Sequence, residues 1–173
     1  MERVDMVQDP YSGTAEWSEV LGLVDELVVY LQEPRTARRL QEANQPGHSS
    51  ARVQAVFIEE ALRLGFVDES KGLFHSYTSS ALRPDYYRRV GQTGVILEVE
   101  RGKTTINNMD LLDFWKCHIC EYASYLILMV PSELRQNPTM SPRREFAAVA
   151  KRLESFFVAR NYTNVHGLAL LGY

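Results

Sequence analysis

The chain reads as an α/β domain, a mixed β-sheet with helices packed on its faces, and three observations predict it. Apolar residues recur at helical spacing over residues 14–33, 51–64, 109–123 and 145–160. Over residues 84–100 the composition turns to β-branched and aromatic residues around a Gly-Gln-Thr-Gly turn. The run Tyr-Leu-Ile-Leu-Met-Val at 125–130 is unbroken and ends at Pro131, as a strand buried on both faces does.

A length of 173 residues suits one domain with a core that needs no disulfide staples. Cys117 and Cys120 are too few for a disulfide framework. The net charge of −3 argues against a general nucleic-acid coat, though not against a local grip on a backbone. No stretch has the ~20 apolar residues of a membrane span. Residues 1–10 lack a basic segment followed by an apolar one, so a cytoplasmic location is expected and a membrane partner is not.

Taken in order, Thr14 can cap a helix whose stripe is Trp17, Val20, Leu21, Val24, Leu27, Val28 and Leu31. Pro34 opens a second short helix to Glu42 that carries Arg35, Arg38 and Arg39. Residues 1–45 are therefore expected as a helical N-terminal extension to a domain over 46–173. A loop at 44–50 leads to a helix that closes at Gly65. Strands are expected at 72–79, 84–90 and 94–100. The helix at 109–123 is capped by Asn107, Asn108 or Asp110, and Leu111, Leu112, Trp115, Ile119 and Tyr122 form its apolar face. A polar loop at 132–142, a helix at 145–160 and a strand at 165–171 complete the chain.

The hairpin carries the chemistry. With Gln92 and Thr93 as its turn, Gly91 pairs with Gly94, and Asp85 falls opposite Glu100 with Glu98 on the diagonal. Side chains alternate along a strand, so all three carboxylates share one face. Cross-strand partners lie roughly 5 Å apart and diagonals roughly 7–8 Å. Like charges that close destabilise a sheet unless basic neighbours, raised pKa values or a hard cation neutralise them. Ligands made only of oxygen suit Mg²⁺.

Arg83-Pro84-Asp85, followed 13 residues later by Glu98-Val99-Glu100, resembles the PD-(D/E)XK motif of the restriction endonuclease-like nucleases. The likeness is to the E-x-E variant of restriction enzymes of the BamHI and BglII type. The element order over residues 49–131 also resembles that family's core: a helix bearing an acid, three strands, a helix and a strand. The resemblance implies a three-layer α-β-α restriction endonuclease-like core and Mg²⁺-dependent (or Mn²⁺-dependent) endonucleolytic hydrolysis of DNA. Asp85 and Glu98 would hold the metal, with the Val99 carbonyl as a third ligand. Glu100 stands where most members have lysine and would orient the attacking water or hold a second metal. Lys103 or Lys116 would supply the missing positive charge, and Glu60, in preference to Glu59, the additional acid. Kinship with type II enzymes also implies a homodimer.

A plainer reading pairs the three carboxylates with Arg83, Arg88, Arg89, Arg101 and Lys103 on a solvated face. The rival function is a catalytically inactive module of the same fold, for DNA binding or protein assembly. Cys117-His118-Ile119-Cys120 has no second pair at zinc spacing, so its cysteines read as buried and structural, as do His75 and His166.

Overall fold

The computed structural model describes residues 1–68, 72–78, 82–102, 104–135, 139 and 141–173. Among these residues six strands form one mixed sheet: β1 (Glu2–Val7), β2 (Val67–Asp68), β3 (Tyr86–Val90), β4 (Thr93–Val99), β5 (Tyr125–Val130) and β6 (Gly167–Gly172). Their order across the sheet is β1-β6-β5-β4-β3-β2. The α-helices are α1 (Ala15–Gln32), α2 (Pro34–Ala43), α3 (Ser50–Arg63), α4 (Met109–Ile119) and α5 (Glu145–Glu154). Strands β4, β5 and β6 run parallel. Parallel neighbours need crossovers, and α4 and α5 supply them. None of the described helices is long and apolar enough to cross a membrane.

The two-residue period of the strands divides the core. Val95, Leu97, Val99, Ile127 and Met129 pack with α1, α2 and α3. Ile96, Leu126, Leu128, Leu168 and Leu170 pack with α4 and α5 through Phe114, Cys117, Val149 and Leu153. Every residue of β5 and β6 is buried, which is why those segments lack polar alternation.

Residues 1–45 lie inside this same unit. Strand β1 pairs with β6 from Glu2 to Val7, and α1 and α2 bury Trp17, Val20, Leu27 and Leu40 in the shared core.

Several local expectations are corrected. Residues 72–78 form turns and bends, with Leu73 and Phe74 buried beside α4; Ser79 lies outside the described residues. The outer strand is β2, and its two residues pair with Tyr87 and Tyr86. The hairpin turn is Gly91-Gln92, because Val90 pairs with Thr93. Gly91 adopts φ +53°, the conformation that primed hairpin turns need at their first position. Asn108 sits at the N-cap of α4 but makes no side-chain cap, and its carboxamide oxygen accepts from Arg152 at 3.0 Å.

Helix α4 is also turned relative to its apolar stripe. Asp110, Asp113, Phe114, Lys116 and Cys117 are buried, while Trp115 is 44% exposed and Tyr122, beyond the helix end, is 49% exposed. Phe114→Ala is therefore expected to destabilise the fold by about 3–5 kcal/mol. Trp115→Ala should stay within about 0.5 kcal/mol. Urea denaturation of the two variants measures the phase of the helix, and the reverse ranking would show that Asp113 and Lys116 do not face inward.

Candidate functional site

The site forms where β4 ends, the residues before β3 cross it, and α4 packs on the sheet. Glu98 lies on the same face as Ile96, and only 2% of it is exposed. Asp85 sits across from Glu98: its N–H donates to Glu98 Oε2 at 3.1 Å. The Asp85 carboxylate accepts from the Val99 N–H at 2.8 Å and from Gln54 Nε2, on α3, at 2.9 Å. The expected register, with Asp85 opposite Glu100, is thus off by two residues. A two-residue slip keeps every side chain on its own face, so the carboxylates remain together.

Helix α4 completes the cluster. Lys116 Nζ donates to Glu98 Oε1 and to Asp113 Oδ1, both at 2.8 Å. It also approaches the Arg83 carbonyl at 3.5 Å. Asp113 is fully buried, and its Oδ2 has no hydrogen-bond partner among the described residues. Glu100 stands beside Asp113 and is half-buried. Its backbone is held on both sides, by the Glu100 N–H donating to the Met129 carbonyl at 2.8 Å and by the Tyr173 hydroxyl donating to the Glu100 carbonyl at 2.7 Å.

Four carboxylates therefore surround one ammonium. Burial, then the charges of Asp113 and Asp85, pushes the Glu100 carboxyl up to about 8. Burial raises Asp113 to about 6 despite Lys116. Glu98 is raised well above its ordinary range by burial and by Asp113, partly offset by Lys116. Asp85 is raised by burial, while the N–H groups of Val99 and Gln54 oppose the shift. For Lys116 burial works downward, but Glu98 and Asp113 outweigh it, so the lysine stays charged. The cluster holds protons near neutral pH because one cation cannot neutralise four acids, of which Glu98 and Asp113 are buried and Asp85 and Glu100 half-buried. Perturbed acids gathered in this way make the cluster the candidate site, although structural ion-pair networks shift carboxyls by the same physics.

The other expected residues fall as follows. Glu60 is buried, but both its oxygens accept from Arg63, at 2.6 and 2.8 Å, and it faces a groove among α1, α2 and α3. Glu59 lines that same groove. Helix α3 reaches the cluster through Gln54 instead. Lys103 lies outside the described residues, and Lys116 is the lysine that meets the carboxylates. Cys117 and Cys120 are both buried. His166 stacks on Tyr11 with ring centroids 3.5 Å apart. Among the described residues, no group of three or more His, Cys, Asp and Glu is arranged to hold a metal ion. The carboxylates are engaged instead by Lys116, by N–H donors and by one another.

No protein-family model matches the chain, and no curated protein sequence matches it. Function is thus argued from this geometry.

Sequence reasoning missed Asp113 and Gln54 and weighed Lys116 only as one of two lysines. A signal for α4 existed: Asp110, Asp113 and Lys116 recur every three residues, the spacing of one helix face. A second buried network fixes that helix start. Glu145 Oε1 accepts from the Thr105 N–H and hydroxyl, both at 2.7 Å, and Arg152 donates to Asp110 at 3.1 Å and to the Thr105 carbonyl at 3.3 Å. Those bonds set where Asp113 and Lys116 point.

Proposed function

We propose that this chain is a divalent-metal-dependent endonuclease that hydrolyses DNA phosphodiester bonds on a restriction endonuclease-like core. The observation that carries the reading is the convergence of Lys116 and Asp113, from the helix after the hairpin, on the hairpin acids Asp85 and Glu98. Such nucleases pair two acids with a lysine, and here the helix brings the lysine that the Glu98-Val99-Glu100 stretch lacks. Supporting it, α3, β2, β3, β4, α4 and β5 follow one another in that order, and the four strands are neighbours in the sheet.

The donor set fits a hard cation. It is all oxygen, it carries more negative charge than Lys116 neutralises, and it includes the orphaned Asp113 Oδ2. Asp85 and Glu98 would hold the ion, which would enter in exchange for protons now kept by the cluster. A divalent cation held there, Mg²⁺ or Mn²⁺, would supply Lewis acidity toward water and the phosphate oxygens. The chain's own groups do the rest. Gln54 and the Val99 N–H orient Asp85. Glu100, with its carboxyl near 8, is mostly protonated at pH 7 and becomes able to accept a proton from the attacking water only as the pH rises through about 8. Lys116 stays positive beside the reacting centre.

One observation favours a second reading, a catalytically inactive module for DNA binding or protein assembly. The oxygens of Asp85 and Glu98 already have protein partners, and no metal cage is preformed among the described residues. Incubation with supercoiled plasmid and duplex DNA in Mg²⁺ or Mn²⁺ separates the two. Nicking or linearisation lost in Asp85→Ala and Glu98→Ala supports the enzyme. DNA binding without cleavage in any metal, unchanged by either substitution, supports the module.

A further inference from the structure

We infer that the shallow groove between α2 and α3 is an anion site that receives backbone phosphates of a nucleic-acid strand running to the carboxylate cluster. Residues 34–58 contain Arg35, Arg38, Arg39 and Arg52 against the single acid Glu42, in a chain whose net charge is −3. The groove, of about 350 Å³, is lined by Arg39, His48 and Arg52 and by one acid, Glu42, on a floor that includes Ala43 and Ala55, so two guanidinium groups face a single carboxylate.

The hydrogen bonds there leave positive charge unspent. Arg52 Nη1 lies 2.9 Å from His48 Nε2. A guanidinium only donates, so this imidazole nitrogen accepts. His48 Nδ1 then carries the proton and donates to the Glu42 carbonyl at 3.0 Å. The Arg52 charge thus rests against neutral groups, and neither Arg39 nor Arg52 makes an ion pair with a described carboxylate. A guanidinium presents its N–H donors in a planar fork that suits phosphate oxygens.

The groove is tied to the cluster by one residue. Arg101 follows Glu100 directly and donates to the His48 and Gln45 carbonyls, both at 2.5 Å. Its Nε is buried without a partner among the described residues. A strand whose scissile phosphate meets Asp85 and Glu98 passes this arginine on its way to Arg39 and Arg52. The inference rests on the nuclease reading for its direction, yet its test does not need cleavage.

Anisotropy of a fluorescein-labelled duplex oligonucleotide in EDTA, across a salt series, reads the site. Arg39→Ala/Arg52→Ala is expected to weaken binding about tenfold and to make the log–log salt slope shallower by about 1.8, as loss of two phosphate contacts requires. Arg39→Lys/Arg52→Lys keeps most of the slope. Circular dichroism checks that the double alanine variant is folded. Equal binding by the double alanine variant overturns the inference. So does failure of the unaltered chain to bind DNA, or binding to phosphatidylserine vesicles alone. Binding that depends on Arg39 and Arg52 without cleavage in any metal would leave this site standing and remove the nuclease reading.

Discussion

Lys116→Met is expected to lower the unfolding free energy by about 3–5 kcal/mol at pH 8, the scale for removing one partner of a buried ion pair. The lysine side chain is 8% exposed and lies 2.8 Å from both Glu98 and Asp113, whose side chains are 3% and 0% exposed. Methionine preserves most of the aliphatic stem, so the loss reports charge and not a cavity. The sign with pH follows from the direction of the shifts. The Lys116 pKa is raised, so its contribution is fully present below its unfolded value and thus throughout pH 5–8. The carboxyl of Glu100 is raised from 4.5 to about 8, so its contribution is present at low pH and is lost as pH rises across that window. The unaltered chain therefore loses stability from pH 5 to 8. Without Lys116, Glu98 and Asp113 must hold protons or stand unpaired, so the deficit is larger at pH 8 than at pH 5. Urea denaturation at both values measures it. A change under about 1 kcal/mol at pH 8, typical of an exposed pair, would contradict the buried cluster.

The second large effect is on catalysis. Asp85→Ala and Glu98→Ala are each expected to slow metal-dependent cleavage at least about a thousandfold, equivalent to about 4 kcal/mol of transition-state stabilisation. Neither substitution should unfold the protein. Removing Glu98 costs one of the two Lys116 ion pairs and the acceptor of the Asp85 N–H, but it also relieves repulsion among the acids, and Lys116 keeps Asp113 as its partner at 2.8 Å. Removing Asp85 leaves the Val99 N–H and Gln54 without an acceptor, a moderate loss. Rate and stability thus separate at Glu98, whereas at Lys116 both fall. Initial rates on duplex DNA, with unfolding free energies of the same preparations, test that contrast.

What was legible in the sequence follows from which forces acted alone. The apolar runs of β4 and β5 and the helical stripes of α1 and α3 reflect burial, and burial writes itself as periodicity. The shared face of Asp85 and Glu98 survived a misplaced turn because side-chain period is two. Strands β1 and β2 were missed for a different reason. Glu2, Arg3 and Asp5 are charged along a sheet edge, and β2 has two exposed residues, so neither segment carries a strong apolar signal. The phase of α4 was misread because its inward face holds Asp110, Asp113 and Lys116, while Trp115 faces outward. An amphipathic pattern fails where charged side chains are buried against one another, because their polarity hides the inward face. Gln54 left no local trace, since its contact with Asp85 spans 31 residues and depends on how α3 docks.

The central claim is that these carboxylates take a divalent cation. Crystals grown or soaked in Mn²⁺ test it most directly, through anomalous difference density. A peak is expected between the carboxylates of Asp85 and Glu98, diminished in Glu98→Gln, with Lys116 turned toward Asp113. Saturating Mn²⁺ that leaves no peak there, with Lys116 still 2.8 Å from Glu98, would contradict it.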